Sequence, residues 1–114
     1  MKLKEIFDTY VDLNGQYVSY VNEIINKDFE GYSKEDTMDK LIKAKNKFQE
    51  LMNAVDEIQV EEEDGLFLKD VKYGIVDGLF LAIDLYNFYH SEQLERFKMR
   101  GVNYIRKGRV TSFF

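Results

Sequence analysis

The chain contains no cysteine. That excludes disulfides, thiolate metal sites and a cysteine nucleophile, and it fits a reducing, cytoplasmic setting. It contains no proline either, so nothing forces a kink and long unbroken helices are allowed. There is one histidine, His90, which rules out any site built on two. The four serines, Ser19, Ser33, Ser91 and Ser112, include none in a Gly-x-Ser-x-Gly turn, so no nucleophile elbow is present. No run is long and apolar enough to cross a bilayer. The most apolar stretch is interrupted by Lys69, Asp70, Lys72, Asp77 and Asp84, whereas a span needs roughly 20 mostly apolar residues. The N-terminus acquires charges at Glu5, Asp8 and Asp12, where an export signal needs an unbroken apolar core, so no signal peptide and no membrane partner are expected.

What is present is an ordinary globular balance: 114 residues, 45% hydrophobic, 32% charged and 15% aromatic. This offers enough apolar surface to offset chain entropy in a single domain, residues 1–114, without staples. The net charge of −5 is unevenly spread. Residues 1–94 hold 10 basic and 20 acidic side chains, while residues 95–114 hold six basic ones against Glu95. The acidic body repels nucleic acid and anionic lipid at long range, and the basic end can engage either one or the acidic body of a second subunit.

Three segments have helical periodicity. In the first, Leu3, Ile6, Tyr10, Leu13, Tyr17, Tyr20 and Ile24 alternate spacings of three and four. The competing pattern is a hairpin over 9–21, because Asn14-Gly15 sits between β-prone residues. The stripe keeps its phase across Gly15, which favours the helix. Gly31 is read as the stop of this helix and Ser33 as the N-cap of the next. The second helix carries Leu41, Ala44, Phe48, Leu51, Val55 and Ile58 on one stripe. The acidic run at 61–65 is a break, with Asp64 expected to cap the third helix.

That third helix, residues 66–89, has 16 apolar or aromatic residues out of 24. A helix apolar over so much of its circumference needs several neighbours, more than a short chain readily supplies. A partner chain is therefore expected to cover part of it. The stripe Leu94, Phe97, Gly101, Val102 and Ile105 continues the pattern, either straight on or after a break near His90 and Ser91 that would add a short fourth helix. The fold class is thus all-α: an antiparallel bundle of three long helices with that optional fourth. The runner-up is α+β, with hairpins at 9–21 and 102–114.

No catalytic pattern rises above these features. Asp70, Asp77 and Asp84 form a stripe at sevenfold spacing, but they lie about 10.5 Å apart along the helix and cannot share one ion without ligands from elsewhere. The plain reading is a solvent-facing stripe that pairs with lysines of the second helix. The Glu-x-x-His pattern of di-iron bundles is absent, because Asn87 stands three before His90. Acidic pairs at 36/39, 61/64 and 92/95 sit in a first helical turn, in a loop and late in the chain, which is not an ordered metal-binding set. A metal-dependent hydrolase is accordingly the least favoured function.

Gly74, Gly78 and Ala82 place small residues along one side of the third helix, where another backbone can approach closely. Together with Leu79, Ile83, Tyr86, Phe97 and Tyr104 they are the expected interface of a homodimer, possessed by a non-enzymatic helical protein that also binds a protein partner. No cofactor, catalytic residue or metal ligand is assigned. The alternative is a nucleic-acid-binding module that uses Arg96, Lys98, Arg100, Arg106, Lys107 and Arg109, with Phe97, Tyr104 and the terminal phenylalanines available for base stacking.

Overall fold

The computed structural model describes residues 2–111. Among the described residues there are four α-helices: α1 (Leu3–Asn26), α2 (Lys34–Glu57), α3 (Gly65–His90) and α4 (Leu94–Thr111). A 3-10 turn, Glu62–Asp64, leads into α3. No strand occurs among the described residues. The hairpin over 9–21 is replaced by unbroken α1, where burial of Leu3, Ile6, Tyr17, Val21 and Ile24 on one face outweighs the turn preference of Asn14-Gly15. Residues 102–111 are likewise helical, and 112–114 lie outside the described residues. The fourth helix is real and is not short, at 18 residues.

The helix ends show how local chemistry sets the boundaries. Ser33 caps α2 as expected, its hydroxyl accepting the Asp36 N–H at 3.1 Å. Asp64 precedes α3, but its side chain makes no capping bond. Gly31 is not the residue that stops α1. The helix ends at Asn26, and Asp28 and Phe29 take left-handed conformations (φ 50° and 65°) before Gly31 does (φ 84°). The Phe29 N–H reaches back to the Ile24 carbonyl at 3.0 Å, closing the helix end. A left-handed backbone costs a bulky residue roughly 1–2 kcal/mol. The Phe29 ring offsets this by packing 5.3 Å from Phe97 and 6.0 Å from Tyr89, which ties the α1–α2 turn to α3 and α4. The α3–α4 turn ends in the same way, with Glu92 left-handed and the Gln93 N–H bonded to the Phe88 carbonyl at 2.8 Å.

Contacts along the helices fix their directions. Asp56 meets Lys72 and Phe48 lies beneath Gly78, so α2 and α3 are antiparallel. Asp84 meets Arg100 and Asp77 meets Lys107, so α3 and α4 are antiparallel too. The result is an up-down-up-down bundle with α1 and α3 on a diagonal. Because α4 is the shortest helix, the bundle has two parts. Around Phe48, Leu81, Leu85 and Phe97 four helices share the core, while at the other end Leu3, Ile6, Leu51, Val55, Val71 and Ile75 form a core of three.

Glycines on α3 make the crossings possible. A Cβ at position 78 would fall 2.5 Å from the Phe48 ring, and one at position 74 would fall 2.8 Å from the Tyr10 hydroxyl. Phe48 is fully buried and has no room to retreat. Gly78→Ala therefore should destabilise the protein by about 1–3 kcal/mol in urea unfolding, despite alanine's better helix propensity. Adding Phe48→Leu should recover part of the loss. A stabilised Gly78→Ala variant would contradict the crossing.

Candidate interaction surface

With three sides of α3 occupied, its fourth side lies open. Tyr73 and Phe80 are 59% and 55% exposed, and Leu66 is 78% exposed. These residues are seven apart, so they stand in one line along the outer face. Val76 and Ile83, half-buried, flank them. Their spacing is the same as that of the Asp70, Asp77, Asp84 stripe, which interleaves with them. The sevenfold spacing of Leu66, Tyr73 and Phe80 is present in the sequence, but their exposure depends on where the other helices pack.

The acidic stripe does not pair with α2. Arg100 Nε donates to Asp84 at 2.9 Å, and Lys107 Nζ lies 3.8 Å from Asp77, both from α4. The α2 side of α3 carries a different pair, Lys72 and Asp56 at 3.9 Å. Asp70 is exposed near the end that α4 does not reach. Such partly exposed pairs contribute about 0–1 kcal/mol each. Their larger effect is local neutrality: the two conspicuous charged features of the sequence cancel along the α3–α4 seam. Among the described residues no group of three or more acidic or histidine side chains converges where an ion could sit.

Beside that seam is a small groove of about 190 Å³, lined by Asp77, Phe80, Arg100, Asn103, Tyr104 and Lys107. One of its lining residues is tied to α1, the Tyr104 hydroxyl donating to Asn14 Oδ1 at 2.9 Å. Burial, with the neighbouring Tyr10 and Asp77, pushes the Tyr104 hydroxyl pKa well up. Burial also raises that of Tyr10, followed by the charge of Asp77. A second groove, about 350 Å³ between α1 and α2, has Leu13, Leu51 and Ala54 at its base and Asp12, Lys47 and Glu50 at its edge. No aromatic side chain lines it.

The eight residues expected at an interface are drawn into this chain's own packing. Gly74 and Gly78 sit beneath Tyr10 and Phe48. Leu79, Ala82 and Phe97 are buried. Ile83 and Tyr104 are partly buried against the core. Tyr86 stacks on His90 and carries Lys45 Nζ 5.1 Å above its ring. The close helix crossing inferred from the small residues thus exists within one chain. Of the six cations, Lys98 bridges Asp28 and Glu95, Arg100 and Lys107 hold Asp84 and Asp77, and Arg96 and Arg106 face solvent. The Arg109 side chain lies outside the described residues. Hydrogen bonding to Asp28 raises the Lys98 pKa, against a smaller opposing effect of desolvation. No helix among the described residues is long and apolar enough to cross a membrane. Comparison with protein families, curated proteins and solved structures finds no match.

Two tyrosines make opposite predictions. The Tyr17 hydroxyl is buried with no hydrogen-bond partner, and burial raises its pKa strongly. Tyr17→Phe should leave stability unchanged or raise it by on the order of 1 kcal/mol, because an unsatisfied buried hydroxyl is removed. Tyr104→Phe should lower it by about 1 kcal/mol, because Asn14 loses its donor. Thermal unfolding of both variants checks the pair, and equal effects would contradict the assignment. Tyrosine pKa values raised in the folded state stabilise fully below the unfolded value of about 10, and this stability is lost as pH rises through the folded values. Unfolding and tyrosinate absorbance should therefore appear together on alkaline titration for Tyr10, Tyr17 and Tyr104.

Proposed function

We propose that the protein is a non-enzymatic helical protein that forms a homodimer through the outer face of α3 and the adjoining α4, and that this surface also serves a protein partner. The observation that carries the proposal is the open line Leu66, Tyr73, Phe80 on a helix whose other sides are packed. Exposed aromatics in a row are uncommon on a monomer's surface, and aromatic anchors concentrate where proteins meet. Two of the flanking acids, Asp84 and Asp77, are already held by Arg100 and Lys107, so a partner covering Phe80 need not bury these two as unpaired carboxylates. A cytoplasmic setting belongs to the same proposal. The nucleic-acid reading draws less support, because Lys98, Arg100 and Lys107 are engaged with acids of their own chain.

Phe80→Ser should shift the protein to monomer in sedimentation velocity, with little change in thermal stability, since more than half of the ring is exposed. Val11→Ser on α1, also half-exposed, serves as the control and should leave the dimer intact. A Phe80→Ser protein that keeps the wild-type mass would remove α3's outer face from the interface.

A further inference from the structure

The proposed dimer leaves open how two copies of α3 meet, and the pattern on its outer face restricts the answer. Tyr73 and Phe80 are placed symmetrically about the point between Val76 and Asp77. Lys69 and Asp84 are placed symmetrically about the same point. The four residues lie along one strip of the helix, with Tyr73 and Phe80 exposed and the Lys69 ammonium 5.7 Å above the Tyr73 ring. Resting on the self-association reading, we infer that the occupant of this face is α3 of a second copy, packed antiparallel about a two-fold axis between Val76 and Asp77.

A two-fold interface uses the same patch on both subunits, so each contact occurs twice. The antiparallel arrangement sets each Tyr73 against the partner's Phe80 and each Lys69 against the partner's Asp84. A parallel pairing in register would instead set Lys69 on Lys69 and Asp84 on Asp84, which like-charge repulsion opposes. The wider charge distribution points to the same face. Two chains of net charge −5 repel, and they approach most readily where charge is locally balanced. Along the α3–α4 seam Asp77 is balanced by Lys107 and Asp84 by Arg100, and Lys69 stands next to Asp70 on the same helix.

A charge-swap mixture tests the register. Lys69→Glu alone creates two acid–acid contacts across the axis, and Asp84→Lys alone creates two base–base contacts. Each should weaken self-association by about tenfold or more. Mixing the two variants pairs every acid with a base, so the mixture should form heterodimers at near wild-type affinity. No preference for the heterodimer, while the wild type remains dimeric, would overturn the antiparallel register and leave self-association standing. A monomeric wild type would instead overturn self-association itself.

Asp84→Lys also removes the partner of Arg100, so a second experiment covers a loss of folding. The chain has no cysteine, which makes single introduced thiols unambiguous. Val76→Cys should cross-link across the axis with a short bis-maleimide. Leu66→Cys should not, because its copies would lie about 30 Å apart. Cross-linking at position 66 without cross-linking at 76 would overturn the antiparallel arrangement.

Discussion

Everything in this bundle depends on how close α3 can come to α1 and α2. Gly78 allows the Phe48 ring to lie against the α3 backbone, and Gly74 does the same for Tyr10. Each glycine weakens the helix by about 0.8–1.0 kcal/mol relative to alanine. In return two buried or half-buried aromatic rings settle against a helix that is apolar on most sides. Phe48 then anchors the four-helix part of the core, with Tyr17 edge-on to it at 5.8 Å.

The position of α4 follows from this crossing and determines the surface. With α1 and α2 on its inner sides, α3 has one further flank that can be covered, and α4 covers it from Asp84 to Asp77. Gly101 fits against Val21 and Ile25 of α1, Phe97 fills the core, and Arg100 and Lys107 reach the acids of α3. Attractive pairs here are weak individually. Collectively they turn an acidic stripe into a neutral border. What remains beyond that border is the exposed line of Leu66, Tyr73 and Phe80, with Phe80 at the edge of the groove beside α4. The exposed part of α3 is thus aromatic and aliphatic, while its glycines lie against other helices of the same chain.

The helices themselves were legible in the residue order because their signals are local. Leu41, Ala44, Phe48, Leu51 and Val55 repeat with helical period, and all are buried. Ser33 with Asp36 three residues later is a capping pattern that operates as read. The stop of α1 was less legible, since the left-handed residues are Asp28 and Phe29, held by ring contacts with Tyr89 and Phe97 some 60 residues away. The same long-range dependence hid the surface. Small residues at 74, 78 and 82 announce a close approach, but periodicity does not say whether the approaching group belongs to the same chain. Likewise the stripe Asp70, Asp77, Asp84 announces cationic neighbours without saying which helix supplies them. Only the packing order, with α4 on one flank and α2 on the other, separates buried Leu79 from exposed Phe80 beside it.

The most direct test of the central claim is the solution mass of the intact protein by light scattering at low and high salt. An interface built on Tyr73 and Phe80, bordered by charges already paired within the chain, predicts a dimer at both ionic strengths. A monomer at both would contradict it and would mean that α3 carries its exposed aromatics without a second copy to cover them.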